Sequence, residues 1–226
     1  MKKALLFMLA VLCTCTLQAV TLAWTEDASN TSSAGSQKKL DVWANRSATV
    51  GVAITYGASL GTGTILAVGR DYSTNIFNAR INADGNYELT VKGATGGTLT
   101  QGTTVAATAG KQQIVTMSFY RDTGSNMKSL ELAVDGVVIA TLANYTITTG
   151  PMSWVEWGRS VGNVDVYSGE ATYSVWHTNA NSNGAILSAQ DAYNAVNAIA
   201  NPVPEPTALA LLALGVAGLA LKRKVA

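Results

Sequence analysis

Apolar residues at every second position dictate what this chain can become. Val50, Val52, Ile54 and Tyr56 alternate with small or polar neighbours, which places them on one face of an extended strand. Thr64 to Val68 reads as a second strand, bounded by Gly63 and Gly69. In Asn75 to Asn82, Phe77, Ala79 and Ile81 fall on one face and Asn78 and Arg80 on the other. Asp84-Gly85 predicts a hairpin turn, since glycine adopts positive φ without penalty, and Tyr87, Leu89 and Val91 resume the alternation. Thr95 to Ala109 is a Gly/Thr/Ala stretch of weak strand character. Lys111 to Arg121 carries the clearest pattern, with Val115, Met117 and Phe119 opposite Ile114, Thr116, Ser118 and Tyr120. Leu130, Leu132 and Val134 follow, Asp135-Gly136 turns the chain into Val137 to Leu142, and Met152 to Gly158 and Glu170 to His177 complete the series.

Helical periodicity is convincing at one place before residue 201. Ser188 suits an N-cap, Asp191 stands three residues on, and Ala192, Val196 and Ile199 share a face. About a dozen short strands with so little helix predict an all-β fold, a two-sheet β-sandwich. Without helices between the strands, the sheets must be antiparallel.

The ends have a different character. Lys2-Lys3 followed by apolar Ala4 to Leu12 reads as a secretory signal peptide, taken as residues 1–23, with cleavage after Ala19 or Ala23. Residues 24–39 are rich in Ser, Thr, Asn and Gly and read as a polar lead-in, so the sandwich is expected over residues 40–200. Residues 201–226 form a three-part tail. Prolines surround Glu205, an uncharged Leu/Ala run extends from Ala208 to Leu221, and Lys222, Arg223 and Lys224 follow. The run makes a helix on the order of 20 Å long, short of the roughly 30 Å hydrocarbon core, so it spans only with thinning or snorkelling. The basic cluster stays cytoplasmic by the positive-inside bias, which places the body outside.

The tail resembles the PEP-CTERM sorting signal of Gram-negative bacteria, through Val203-Pro204-Glu205-Pro206, the apolar run and the basic end. The resemblance implies an exosortase as processing partner, recognising Val203, Pro204, Glu205 and Pro206. It also implies delivery to the outer surface or extracellular matrix. The body resembles the LamG / concanavalin A-like family. That likeness rests on Gly110 to Tyr120, a short loop, and Leu130 to Val137 with its Asp-Gly turn. Gly63 to Gly69, Trp157-Gly158-Arg159 and Ala185-Ile186-Leu187-Ser188 agree in order. It implies a jelly roll of two curved sheets and binding of glycans or proteins.

Charge and chemistry narrow the function. Of 14 acidic residues only Glu205, and of 15 basic residues only Lys2, Lys3, Lys222, Arg223 and Lys224, lie outside Trp24 to Asn201. The body is therefore mildly acidic without a basic stripe, which argues against a nucleic-acid partner. Both cysteines, Cys13 and Cys15, fall in the signal segment, so the body has no disulfide or thiolate metal site. Laminarinase-like hydrolases, related to the resembled family, carry a Glu-x-Asp-x-x-Glu run whose carboxyls flank one glycosidic bond, and this sequence has none. Glu131 with Asp135, and Asp165 with Glu170, read as solvent-side carboxylates. His177 is the single histidine, and no Gly-x-Ser-x-Gly elbow offers it a nucleophile. No catalytic residue is expected, and no cofactor.

Binding is better served. Trp154 and Trp176 are predicted to point outward, where aromatic rings stack sugars unless neighbouring loops pack over them. Asp71, Tyr72 and Asn75 form a loop with chemistry for a sugar or for Ca²⁺. The closing strand has uncharged Thr172 and Ser174 where many members of the resembled family carry acids, which argues against a Ca²⁺ site. The expected function is that of an exported, non-catalytic domain binding a polysaccharide or surface polymer. Two alternatives are a matrix component without a specific ligand and, lacking a carboxylate pair, a glycoside hydrolase or lyase.

Overall fold

The computed structural model describes residues 22–30, 36–42, 46–71, 74–92, 98–121, 126–146, 152–160, 165–178 and 186–201. The strands are β1 (Leu22–Asn30), β2 (Ser36–Val42), β3 (Arg46–Tyr56), β4 (Gly63–Asp71), β5 (Thr74–Ile81), β6 (Asn86–Lys92), β7 (Thr98–Ala106), β8 (Gln112–Arg121), β9 (Asn126–Val134), β10 (Val137–Thr146), β11 (Met152–Trp157) and β12 (Ala171–Thr178). Among the described residues one helix, α1, spans Ala189–Ala200. The strands pair into two antiparallel six-stranded sheets, ordered β1-β12-β3-β8-β9-β10 and β2-β11-β4-β5-β6-β7. This is a jelly-roll β-sandwich.

The alternation in the sequence becomes the core between the sheets. Val50, Val52, Ile54 and Tyr56 of β3, Val115, Met117 and Phe119 of β8, Phe77, Ala79 and Ile81 of β5, and Trp157 of β11 are all buried there. Phe77 and Phe119 meet edge to face across the gap, 5.0 Å between centroids, a geometry that suits the ring quadrupole. The β5–β6 hairpin turns as the sequence predicts, with Gly85 at φ 77° and the Asn82 side chain accepting from the backbone of Asp84 and Asn86.

The polar stretch from residue 24 is not a loose lead-in. Leu22–Asn30 pairs with β12 and Ser36–Val42 with β11, so the two segments are edge strands of the two sheets. Backbone bonds to one neighbour suffice to hold an edge strand, which therefore needs no apolar alternation to mark it. Residues 1–21 of the expected signal segment 1–23, and the proline motif, apolar run and basic cluster from residue 202, lie outside the described residues, whereas Leu22 and Ala23 open β1. Among those that are described, no helix is long and apolar enough to cross a membrane.

The helix forms where its cap predicts. Ser188 Oγ accepts from the Asp191 backbone N–H and donates to Asp191 Oδ2. Ala192 and Val196 are fully buried, and Val196 packs with Ala53, Ile114 and Trp176 on the outer face of the β3/β8/β12 sheet. The fit depends on Gly51, because a Cβ there would stand 2.5 Å from Val196 Cγ2. Gly51→Ala is expected to lift α1 and cost about 1–3 kcal/mol by overpacking. The fluorescence of Trp176 should shift to the red as water reaches it. An unchanged emission spectrum and melting temperature would contradict this account of the packing.

Candidate functional site

The outward side chains of the β2-β11-β4-β5-β6-β7 sheet form the candidate site. Its registers can be read as rows. Glu156 stands opposite Ala67, then Asn78, Thr90 and Thr100. One step toward the β4–β5 tip, Trp154 is opposite Gly69, which is opposite Asn75. One step the other way, Thr64 is opposite Arg80, which is opposite Glu88. The β5 and β6 members alternate with core residues, so the hairpin that buries Phe77, Ala79 and Ile81 must turn Asn78 and Arg80 outward.

Several of these groups hold one another. Arg80 Nη1 is 3.2 Å from Glu88 Oε1 and Nη2 is 3.2 Å from Asp165 Oδ1, while Asp165 Oδ2 accepts from Thr64 Oγ1 at 2.7 Å. Glu156 is fully buried and its carboxylate lies 3.0 Å from Arg159 Nε, which supplies the counter-charge that burial demands. Two atoms are left over. Asn78 donates through Nδ2 to Thr90 Oγ1 at a long 3.4 Å, but its Oδ1 is buried without a donor, and Arg80 Nε is buried without an acceptor. An unpartnered acceptor and donor thus sit two residues apart on one strand face, about 7 Å along β5. Trp154, partly exposed, stands on the same face beyond the small residues Ala67 and Gly69.

The other sequence candidates fall differently. Asp71 and Asn75 belong to the β4–β5 hairpin tip, where Asp71 is opposite Thr74 and Asn75 opposite Gly69. The register therefore brings Trp154 to the same end of the sheet as this tip. Tyr72 and the side chains of Asp71 and Asn75 lie outside the described residues. Trp176 is a correction. It does point away from the sandwich interior, opposite Gly51 in register, but α1 covers it and leaves it 1% exposed. No sugar can stack on it while the helix is docked.

The carboxylates weighed as catalytic have structural duties. Asp135 Oδ1 accepts from the Ile114 backbone N–H at 2.8 Å and Oδ2 from Gln113 Nε2 at 3.4 Å, which pins the β9–β10 turn to β8. Glu131 is paired in register with Ser118 on the other sheet's outer face. Asp165 is solvent-side as the sequence predicts and also takes part in the Thr64–Arg80 network above. His177 is 3% exposed and faces inward beside Val50 in register. Among the described residues, no three His, Asp or Glu side chains come together as metal ligands do.

The Asn78–Thr90 and Arg80–Glu88 pairs were within reach of the sequence. A hairpin centred on Asp84-Gly85 that pairs Ile81 with Tyr87 also pairs Arg80 with Glu88 and Asn78 with Thr90. The Glu156–Arg159 pair and Asp165 had no comparable signal.

Comparison with known proteins identifies the tail and the fold. Residues 202–224 match the PEP-CTERM protein-sorting motif, which marks the chain for export and sorting to the cell surface. No curated protein matches in sequence. Among solved structures, a Trypanosoma rangeli sialidase in complex with 2,3-difluorosialic acid superposes with a TM-score of 0.52 at 13% identity, over 74% of this chain and 27% of the sialidase. The chain thus spans about a quarter of that enzyme. A Ruminococcus gnavus IT-sialidase CBM40 bound to alpha2,3 sialyllactose aligns with a TM-score of 0.48 at 16% identity, over 71% of this chain and 98% of the module.

Proposed function

We propose that the chain is an exosortase-sorted protein of the outer surface or extracellular matrix of a Gram-negative bacterium, and that its sandwich is a non-catalytic module for a polysaccharide or surface polymer. The exosortase acts on Val203-Pro204-Glu205-Pro206, with Ala208 to Leu221 as a membrane helix and Lys222-Arg223-Lys224 as its stop. The observation that carries the binding reading is Trp154, partly exposed on the outer face of its sheet and opposite the small Gly69 in register. A pyranose face covers an indole, and the exposed threonines Thr98 and Thr100 of β7 offer hydroxyls that both donate and accept. No Ca²⁺ is required by this arrangement. The carboxylates engaged in Asp135's and Asp165's hydrogen bonds support the non-catalytic reading.

A glycan array with the exported body tests the proposal. Trp154→Ala is expected to weaken any glycan bound by about tenfold or more, the equivalent of about 1.4 kcal/mol, with the β-sheet circular dichroism signal retained. Binding of no glycan, with or without Ca²⁺, would overturn the lectin reading. Turnover of a β-glucan or alginate would overturn the non-catalytic one.

One feature favours a structural matrix component instead. Strand β10 is the edge of its sheet and its sequence, Val-Val-Ile-Ala-Thr-Leu-Ala-Asn-Tyr-Thr, has no charge and no proline. Val137 and Val138 are 64% and 42% exposed. Edges without such protection pair with other strands. If the protein builds a matrix by edge pairing, Val138→Lys should abolish its self-association in sedimentation equilibrium and leave its fold intact. A body that is monomeric at every concentration would exclude this reading.

A further inference from the structure

The sandwich has two poles, and the chain leaves it at a defined one. One pole is built by the turns at 57–62, 82–85, 107–111 and 165–170. Gly57 bonds there to Glu170 and Gly110, Ala107 bonds to Gly85, and Ser168 bonds to Thr62. The last described residue, Asn201, is fixed at this pole. Its backbone N–H reaches Asn197 O, and its side chain donates to Gln112 Oε1 at 2.8 Å and to Asn197 Oδ1 at 3.0 Å. Gln112 opens β8, next to the 107–111 turn. Behind Asn201, α1 is clamped by Val196 over Gly51.

The sorting motif begins at residue 202, immediately after this anchor. Residues 202–207 separate Asn201 from the apolar run. Even fully extended as polyproline II they reach about 19 Å, of which the headgroup layer takes roughly 5–8 Å. The candidate site lies at the other end. Trp154 is opposite Gly69, six residues along β4 from Gly63, or about 20 Å from the Asn201 pole.

We infer that α1 is a docked stalk that seats the Asn201 pole on the lipid headgroups and directs the Trp154 end of the sheet away from the membrane until the tail is cut. This rests on the reading of the tail as membrane-inserted. Without docking, α1 would be a tether and the body would tumble. With docking, the short motif keeps the Asn201 pole within about 11–14 Å of the headgroups, nearer than the Trp154 end. The processing enzyme must then take the motif with the sandwich seated beside it.

The test uses the exported chain from residue 20, which contains no cysteine, in phosphatidylcholine/phosphatidylglycerol vesicles containing lipids with nitroxide-labelled headgroups. A fluorophore is placed in turn at Lys111→Cys, in the exposed turn by Asn201, and at Thr98→Cys, exposed and paired with Lys92 at the far end of β6. Co-flotation with the vesicles reports insertion. The Lys111 label is expected to be quenched several-fold more than the Thr98 label. A Gly/Ser insertion of about 20 residues between Asn201 and Pro202 should erase the difference, since such a linker is a flexible coil. Flotation with equal quenching of the two labels, without the insertion, overturns the stalk and leaves the membrane reading standing. Failure to float overturns the membrane reading, and the stalk with it.

Discussion

Alanine at Gly61 is expected to lower the melting temperature of the body by roughly 10 °C. The cause is backbone against backbone. A Cβ on Gly61 would overlap Gly169 N and lie 2.6 Å from Gly169 Cα, and a Cβ on Gly169 would lie 2.6 Å from Gly61 N. No rotamer relieves such an overlap, so the 57–62 and 165–170 turns must part. Parting them breaks the bond from Gly61 N–H to the Tyr167 hydroxyl, 3.0 Å long, and those from Thr62 N–H to Ser168 Oγ and from Ser168 N–H to Thr62 O. Overpacking in ordinary cores costs about 1–3 kcal/mol, and rigid backbone should bring this case to the top of that range or above. Gly102→Ala is the control, because a Cβ there meets nothing within 4 Å. Thermal unfolding followed by circular dichroism compares the two. Equal melting temperatures would show that the turns do not interlock.

Alkali is expected to unfold the protein cooperatively between about pH 10 and 12. Tyr56 and Tyr87 are buried in the core, their hydroxyls 3.0 Å apart, and the Tyr87 hydroxyl donates to Gln113 Oε1 at 3.1 Å. Burial holds Tyr56 well above the ordinary phenol range, with the nearby Tyr87 adding to the effect. Burial likewise raises Tyr87, partly offset by its bond to Tyr56. Tyr167 is raised by burial too, against the lowering effect of the Gly61 N–H. In the unfolded chain these phenols ionise near pH 10. A group whose folded pKa is raised contributes stability that is intact below the unfolded value and lost as pH climbs toward the folded one. The loss is about 1.4 kcal/mol per pH unit for each tyrosine. Tyr87 alone removes about 2.7 kcal/mol by pH 12, a large part of the stability of a small domain, and Tyr56 adds to the loss. Tyrosinate absorbance from these residues should appear together with loss of the β-sheet signal, and the Tyr56→Phe, Tyr87→Phe double variant should unfold at higher pH. Ionisation of both residues while the sheet signal persists would show that their hydroxyls reach water in the folded state.

Both effects belong to the pole at which Asn201 is held. There Tyr167 ties the 57–62 turn, Gln113 receives Tyr87 and the Thr108 backbone N–H, and Asp135 pins the β9–β10 turn. A rigid pole is what a stalk needs if its orientation is to reach the rest of the domain.

Much of the architecture was legible in the residues because it follows from near neighbours. Period-two alternation put Val50, Val52, Ile54 and Tyr56 in the core. Asp84-Gly85 and Asp135-Gly136 located two hairpins, and with them the Arg80–Glu88 and Asn78–Thr90 pairs. Ser188 and Asp191 located α1, and the proline motif with its apolar run and basic end identified the tail. Each depends on chemistry within one turn or one hairpin. What stayed hidden depends on segments far apart in the chain. Whether an outward tryptophan meets water or a helix is decided by α1, which arrives from the far end to cover Trp176 and leaves Trp154 at the surface. Polar edge strands β1 and β2 are held by backbone bonds, which leave no mark on side-chain pattern. The contact of Gly61 with Gly169 and the fixing of Asn201 at Gln112 arise only when segments about a hundred residues apart meet. The sequence alone thus determined the strands, the turns and the destination, since local sterics and hydrophobic period specify them. Tertiary structure alone decided which faces stay open, since exposure belongs to the assembled surface rather than to any stretch of residues.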